Sequence, residues 1–309
     1  MAVRAPALRR VPVWMWRALM AHLAPRELRR FNANPISDVS YTLDVDYVGD
    51  GTREHRLDVI APRDIPGPLP VYVYFHGGGW TSGDKSALTK YCATQALGGM
   101  IVVNANYRMA PRATMQHMMQ DAHAVLRWIS TTIAEFGGDP DRVVLGGDSA
   151  GGQISALLAA STTDAELARH YGLTPVLATV RGVVQHCSAV DFSVMFERGF
   201  ILSLEFVRML LPRRDRGLPL RSAAHYLSPI DWVDSTFPPA LVTTSRKDPF
   251  YQANLNFIAE LMRKGVPVES HIDEFADHTW QQDSHHPGSA VVYERLQAFV
   301  RRVAPVPVG

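Results

Sequence analysis

Six short apolar runs, rich in valine and isoleucine, constrain the fold more than any other feature of this sequence. Continuous apolar runs of this length, most of them separated by helix-like segments, are typical of parallel strands buried on both faces. They lie at Val71–Phe75, Ile101–Tyr107, Val143–Gly147, Val180–Cys187, Ala240–Ser245 and Val268–Phe275. Two earlier strands, Tyr41–Val48 and Arg56–Ile60, are predicted to join at a turn around Gly49 to Gly51. The sequence therefore predicts an α/β fold with a mostly parallel eight-stranded sheet flanked by helices.

Helix-like segments separate most of the apolar runs. Helices are predicted at Lys85–Ala96, Gln120–Phe136, Gly151–Ala160, Gln252–Lys264 and Ser289–Val303. The interval 192–224 interrupts the alternation, because it is helix-like and apolar and ends in a basic stretch. It predicts a cap inserted over a substrate pocket, with an ordinary crossover helix and long loop as the alternative. The expected pocket residues are Trp80, Met195, Phe196 and Phe200.

The N-terminal segment, residues 1–40, is predicted to be a helical cap segment preceding a catalytic domain at 41–309. Trp16, Leu19, Met20 and Leu23 follow the spacing of an amphipathic helix, and basic residues, Arg4, Arg9, Arg10 and Arg17 among them, precede the first acid, Glu27. Such a segment packs on the domain, attaches peripherally to a membrane surface, or is cleaved as a transit peptide, and the three readings stay open. No stretch approaches the roughly 18 apolar residues of a membrane span, so no stable span is expected.

Composition excludes several classes of partner. The 309 residues carry a net charge of +1, with no basic or acidic bias that would favour nucleic acid. A neutral small molecule is the expected partner, and a homodimer stays open. Cys92 and Cys187 are far apart, which argues against a disulfide framework and favours a cytoplasmic location. The acids and histidines between 273 and 286 lack a recognised ligand spacing, so no metal or cofactor is expected.

The motif GDSAGG, residues 147–152, supplies a candidate nucleophile. Ser149 lies where a predicted strand ends and a predicted helix begins. A sharp strand-to-helix turn raises the serine oxygen above the sheet, and Gly147 and Gly151 remove the Cβ atoms that would clash there. Because a serine hydroxyl is a poor nucleophile alone, it needs a base within hydrogen-bond reach.

A base and an orienting acid are predicted at the same edge of the sheet. His278, in FADHTW, follows the last predicted strand, and Asp248, in SRKDPF, follows the strand before it. His285 and His286 are the alternative bases, and a helix N-cap is the alternative role of Asp248. The order Ser149, Asp248, His278 is one of the known chain orders of a catalytic triad.

The motif HGGGW, residues 76–80, offers donors for an oxyanion. It follows the strand Val71–Phe75, and its glycine amides have no side chains in the way. The N–H groups of Gly78, Gly79 and Ala150 are therefore expected to converge on one oxygen.

Taken together, HGGGW, NANYRMAP (104–111), GDSAGG, DPF and His278 resemble the hormone-sensitive-lipase-like esterases of the α/β-hydrolase superfamily, from about residue 70 onward. The resemblance implies a triad of Ser149, Asp248 and His278, an oxyanion hole of Gly78, Gly79 and Ala150, and a helical cap. It also implies supporting roles for His76, Gly77, Tyr107, Gly147, Asp148 and Gly151.

The sequence departs from the family pattern at three places. Arg112 replaces an acid that commonly follows Ala-Pro, Tyr251 and Gln252 stand where a second acid is frequent, and Asp277 replaces a glycine before the histidine. HGGGWTSGDK also resembles arylformamidase-like and feruloyl-esterase-like members, so this loop does not define the substrate.

The resulting expectation is a carboxylesterase or lipase-like serine hydrolase that acts on small esters with short to medium acyl chains. An amidase or arylformamidase would use the same residues. The alternative outside the enzymes is a receptor that keeps this fold and binds a ligand without catalysing a reaction.

Overall fold

A single eight-stranded sheet organises the protein, as seen in a computed structural model that describes residues 11–64, 67–197 and 203–306. In these residues the strand order is β1-β2-β4-β3-β5-β6-β7-β8; β2 pairs antiparallel with β1 and β4, and the other pairs are parallel. The strands are β1 Val39–Asp46, β2 Arg56–Pro62, β3 Leu69–Phe75, β4 Ile101–Ala105, β5 Gly138–Asp148, β6 Val180–His186, β7 Ala240–Ser245 and β8 Val268–Asp273. The predicted fold class is confirmed.

The central strands are apolar throughout because both faces of the sheet are covered. In β3, Val71, Val73 and Phe75 pack in one core, whereas Tyr72 and Tyr74 pack in the core on the opposite face. Successive side chains of a strand point to opposite faces, so a sheet covered on both sides needs a run without polar interruptions. This burial explains why the strands could be recognised as continuous apolar runs.

Nine α-helices occur in the described part of the chain. They are α1 Val11–Phe31, α2 Thr89–Ala96, α3 Met115–Thr132, α4 Ser149–Ser161, α5 Ala165–Tyr171, α6 Ser203–Leu210, α7 Leu220–Ala224, α8 Tyr251–Arg263 and α9 Ser289–Val303. All five predicted helices are present. The one predicted from Gln120 begins earlier, at Met115, because Thr114 and His117 form a capping box there. Helix α5, capped by the Asp164 side chain, was not predicted.

Strand ends also differ from the sequence prediction. Strand β5 begins at Gly138, whereas β4 ends at Ala105 and β8 at Asp273. His278 therefore lies on a loop rather than directly after its strand. The predicted cap interval contains a 3-10 turn at Phe192–Phe196, then α6 and α7, and Phe200 lies outside the described residues.

Helix α1 packs against the 3-10 turn Lys85–Leu88 and against α6. The residues before Val11, and the side chains of Trp16 and Leu23, lie outside the description. In the described segments, no helix combines the length and the apolar character that crossing a membrane requires.

A buried ion cluster holds the loop after β3 onto the sheet. The Lys85 ammonium is 6% exposed and binds the Asp58 carboxylate, which is 2% exposed, and the Asp44 carboxylate at 2.8 Å. Breaking a buried ion pair leaves an uncompensated charge away from water, which is far more costly than losing a surface pair.

We expect Lys85→Met to lower the free energy of unfolding by about 3–5 kcal/mol, because Asp58 loses its buried cation. Urea unfolding followed by circular dichroism measures the change. The matched control is Lys264→Met, since Lys264 pairs with Glu260 at 3.9 Å on the surface, and this substitution should cost less than about 1 kcal/mol. Equal losses for the two variants would contradict a buried role for Lys85.

Candidate active site

Ser149 sits on a sharp turn between β5 and α4. Its φ is 50°, a left-handed conformation that is uncommon for a residue with a side chain. The turn requires very close backbone approach, because a Cβ on Gly151 would lie 2.0 Å from the Phe75 carbonyl oxygen. A Cβ on Gly147 would lie 2.6 Å from that same oxygen. Both glycines are therefore needed for the first turn of α4 to pack on the end of β3.

Ser149, His278 and Asp248 form a continuous series of hydrogen-bond contacts. The His278 Nε2 is 3.0 Å from the Ser149 Oγ, and its Nδ1 is 2.6 Å from the Asp248 Oδ2. The other Asp248 oxygen, Oδ1, accepts the Phe250 N–H at 2.6 Å. The alternative bases lie elsewhere: His285 contacts Asp283, and His286 packs beside Trp280. The structure thus brings together the three side chains predicted as a triad.

The charge of Asp248 controls the ionisation of His278. Burial by itself lowers the pKa of His278, but the hydrogen bond and negative charge of Asp248 outweigh it and raise the pKa above its ordinary value. Asp148 adds a smaller effect in the same direction. The imidazolium form of His278 is therefore stabilised, as a base that must accept a proton requires.

Asp148 ties the glycine loop to the strand that carries Ser149. Its Oδ1 accepts the Tyr74 hydroxyl and the Gly77 N–H, both at 2.9 Å. Burial raises the pKa of Asp148 although these donors oppose the shift. Asp148 thus connects β3, β5 and the glycine loop at one buried point.

The glycine loop places Gly78 and Gly79 on the wall of the same cavity as Ser149. Gly78 has φ 114°, and a Cβ there would lie 2.1 Å from the Ser82 carbonyl oxygen. Ala150 is fully buried in the first turn of α4, where N–H groups have no partner within the helix. Of the three residues predicted as oxyanion donors, Gly78 and Gly79 thus line the cavity that contains Ser149, and Ala150 follows Ser149 in the chain.

His76 and Tyr107 form a stacked pair behind the loop. Their rings are 4.6 Å apart between centroids at an interplanar angle of 20°, and the Tyr107 hydroxyl donates to the His76 carbonyl oxygen at 2.7 Å. Burial lowers the pKa of His76 and so disfavours the protonated ring. The pair thus contacts the start of the glycine loop through the His76 carbonyl oxygen.

A large cavity opens over Ser149 and His278. It has a volume of about 1400 Å³, above the roughly 300–1,000 Å³ that is common for small-molecule sites. Of the predicted pocket residues, Trp80 and Met195 line it. Phe196 is not among the lining residues, because its ring packs under the Arg221 guanidinium at 4.6 Å.

Several lining residues were not predicted. Helix α1 contributes several of them, and aromatic residues from α6 and from the loops after β7 and β8 contribute others. The lining residues with large apolar side chains include Trp14, Met20, Leu28, Phe31, Phe206, Phe250, Phe275 and Trp280. The amphipathic spacing of α1 could have indicated a packed face, but not that this face covers the site.

Cys187 lies directly behind the triad acid. It is fully buried, follows β6 with φ 50°, and its sulfur lies with an Asp248 oxygen and a His278 ring nitrogen within 4.8 Å of one another. Burial and the nearby charge of Asp248 raise the pKa of the Cys187 thiol well above its ordinary value. A neutral, enclosed thiol is a poor nucleophile, so Cys187 is a core residue here.

The sheet order and the hydrogen-bonded serine, histidine and aspartate are those of an α/β hydrolase. Residues 72–282 match the sequence model of a protein family whose description is "alpha/beta hydrolase fold". Carboxylesterase NlhH of Mycobacterium tuberculosis is 31% identical over 226 residues, which cover 71% of this chain and 69% of the relative. Esterase LipQ of the same organism is 30% identical over 237 residues, covering 75% of this chain and 55% of the relative. The chain belongs to the α/β-hydrolase family, in its hormone-sensitive-lipase-like group of bacterial carboxylesterases.

Solved structures agree on the fold. Esterase B from Lactobacillus rhamnosis superposes with a TM-score of 0.86 at 22% identity, covering 96% of each chain. An esterase from Pyrobaculum calidifontis superposes with a TM-score of 0.72 at 22% identity, covering 98% of this chain and 99% of the other. At this level of identity the likeness concerns the fold alone.

We expect Asp248→Asn to lower the pKa of His278 below its ordinary value of about 6.5. The substitution removes the charge that raises the pKa, so the opposing effect of burial dominates. An NMR titration of the histidine ring signals measures the shift, with the His278 signal assigned by its absence in His278→Gln.

The control for this titration is Asp277→Asn, which removes an exposed acid adjacent in sequence and should change the pKa less. An unchanged His278 pKa in Asp248→Asn would show that the observed 2.6 Å contact does not govern the ionisation of the ring.

Proposed function

We propose that the protein is a serine carboxylester hydrolase in which Ser149 is the nucleophile, His278 the general base and Asp248 the orienting acid. The class follows from the family and its carboxylesterase relatives. The assignment of roles rests on one observation, the series of contacts from Ser149 Oγ through both nitrogens of His278 to Asp248.

In the proposed acylation step, His278 Nε2 takes the hydroxyl proton as the Ser149 oxygen forms a bond to the ester carbonyl carbon. Asp248 accepts the hydrogen bond of Nδ1–H and stabilises the imidazolium. The tetrahedral intermediate then breaks its bond to the alkoxy oxygen, which leaves as the alcohol with the proton from His278. Water repeats the sequence on the acyl enzyme, so neither a metal nor an organic cofactor takes part.

The oxyanion of the tetrahedral intermediate is assigned to the N–H groups of Gly78, Gly79 and Ala150. Support comes from Gly78 and Gly79 lining the cavity that contains Ser149, from Ala150 in the first turn of α4, and from the anchoring of the loop by Asp148. A single donor of this kind contributes about 3 kcal/mol of transition-state stabilisation. Preorganisation by Asp148 matters because the donors must already be in place when charge develops on the oxygen.

The proposed substrates are uncharged esters with short to medium acyl chains. The cavity supports this, since its walls are largely aromatic and aliphatic and its volume of about 1400 Å³ exceeds that of a minimal ester. The residues of α1 and of the interval 192–224 that line the cavity, such as Phe31 and Phe206, support the assignment of both segments as cap elements.

Peripheral association with an anionic lipid surface through α1 is also proposed. Trp14, Met15 and Leu19 are 54%, 67% and 49% exposed, and Arg26 and Arg29 are exposed on the same helix. We expect co-sedimentation with phosphatidylglycerol vesicles and not with phosphatidylcholine vesicles, reduced in Met15→Glu/Leu19→Glu. Equal binding of both proteins to both vesicles, or none, would oppose this proposal. A cytoplasmic location and a homodimer stay predictions.

We expect Ser149→Ala to reduce the hydrolysis of p-nitrophenyl esters by about four orders of magnitude or more, because the acyl enzyme cannot form. The rates are measured with purified protein on acyl chains from acetate to palmitate. Ser193→Ala, at an exposed serine in the cap interval, is the matched control and should retain wild-type activity.

The same assay separates the alternatives. Hydrolysis of nitroanilides or formanilides in place of esters would identify an amidase-type enzyme. Ester turnover that survives in Ser149→Ala would refute the assigned nucleophile. Absence of all turnover in the wild-type protein would favour a silent ligand-binding relative.

A further inference from the structure

The thiol of Cys187 has no part in the proposed reaction, although it lies against two of the groups that perform it. One ligand atom each from Cys187, Asp248 and His278 lies within 4.8 Å of the other two. The arrangement is held from behind, because Gln281 contacts the Cys187 sulfur at 3.4 Å and the Thr243 hydroxyl oxygen at 2.8 Å. The thiol is therefore positioned and not merely enclosed.

We propose that Cys187, Asp248 and His278 form an inhibitory binding site for a thiophilic divalent cation such as Zn²⁺ or Cd²⁺. The effect on activity rests on the proposed function, whereas binding itself does not. The cation is not a cofactor of the reaction, since it occupies two of the groups that catalysis requires.

The donor set suits such a cation. Thiolate, imidazole and carboxylate are the protein ligands of Zn²⁺, and three of them with water complete a tetrahedral site. With metal–ligand bonds of about 2.0–2.3 Å, ligand atoms of one site lie roughly 3.3–3.8 Å apart. The widest ligand pair, up to 4.8 Å apart, therefore has to contract by about 1 Å, and the His278 Nδ1 and Asp248 Oδ2 atoms, 2.6 Å apart, have to open by about 0.7 Å.

Charge balance favours the complex in this buried setting. One carboxylate and one thiolate carry two negative charges, which a divalent cation neutralises without leaving a net charge away from water. Binding releases the thiol proton to solvent. The proton on the Nδ1 of His278 moves to Nε2, because Nδ1 faces Asp248 and must offer its lone pair to the metal.

Metal binding and catalysis exclude each other in this geometry. With Nδ1 bound to the metal and Nε2 protonated, His278 cannot accept the proton of the Ser149 hydroxyl. The carboxylate of Asp248 no longer orients the imidazole. The side chain of His278 is 34% exposed whereas that of Asp248 is 0% exposed, so the ion must pass the imidazole from the cavity. Inhibition should therefore develop slowly.

The first experiment compares wild-type protein with two cysteine variants after incubation with CdCl₂ or ZnCl₂. Cys187→Ala removes the proposed ligand, and Cys92→Ala is the matched control because Cys92 is the other buried free cysteine. Residual ester hydrolysis is measured relative to each protein's own metal-free rate. We expect progressive inhibition of the wild type and of Cys92→Ala, reversed by EDTA. Cys187→Ala should need about 10-fold more metal or greater for half inhibition.

A second readout does not depend on activity. Cd²⁺ bound to a thiolate gives an ultraviolet charge-transfer band, which we expect in wild-type protein, in Cys92→Ala and in Ser149→Ala. The band should be lost in Cys187→Ser, a variant of similar volume that serves if the alanine variant does not fold. A band in Ser149→Ala together with an absence of esterase activity in the wild type would overturn the function but support the site. Equal bands or equal inhibition in wild type and both Cys187 variants would overturn the site.

Discussion

The packing of α4 on the end of β3 is the constraint on which the rest of the site depends. Gly151 brings the backbone of α4 so near to Phe75 that a single Cβ would collide with the carbonyl oxygen. This approach sets the raised Ser149 beside the loop that follows β3. A larger residue would push the helix away, and Ser149 would then move away from the glycine loop. The motifs HGGGW and GDSAGG, which are distant in sequence, thus lie side by side because Gly151 has no side chain.

Three hydrogen bonds then fix the glycine loop in place. Asp148 accepts from Gly77 at 2.9 Å, Tyr107 donates to the carbonyl of His76 at 2.7 Å, and the Trp80 indole donates to Gln153 at 2.6 Å. Each partner lies on a different element, so the loop is held from several directions. Groups that stabilise charge must be oriented before the charge develops, because reorientation during the reaction would consume the stabilisation they provide.

The sequence was sufficient to predict the strands and the meeting of three side chains beyond their ends. Strands buried on both faces are continuous apolar runs, and residues that follow parallel strands meet at one edge of the sheet, which is why Ser149, Asp248 and His278 could be assigned together. Short or irregular elements were harder to predict from the sequence. Helix α5 has seven residues, too few for a clear apolar period.

Apart from Trp80 and Met195, the cavity wall could not be predicted because it depends on contacts between distant segments. The amphipathic pattern of α1 shows that one face is apolar but not what that face covers. Phe196 was chosen for its apolar ring in the cap interval, yet a cation–π contact with Arg221 accounts for it, while Phe206 of α6 lines the cavity. The rotation of a short helix about its own axis decides which of its aromatic residues faces the cavity. Helix α6 has only eight residues, and its sequence alone does not determine that rotation.

The neutral state of Cys187 is what allows a thiol to lie against the triad without disturbing it. Burial and the charge of Asp248 both raise the pKa of the thiol, so it adds no second negative charge beside the carboxylate. A thiolate there would stabilise the imidazolium further and hold the proton on His278, which must return it to the leaving alcohol. Because the Cys187 thiol stays protonated, Asp248 remains the main charge that sets the pKa of His278. A cation that displaces this proton would turn the Cys187 thiol into a thiolate ligand. The same burial that keeps the free thiol neutral would then shield the bound metal from water.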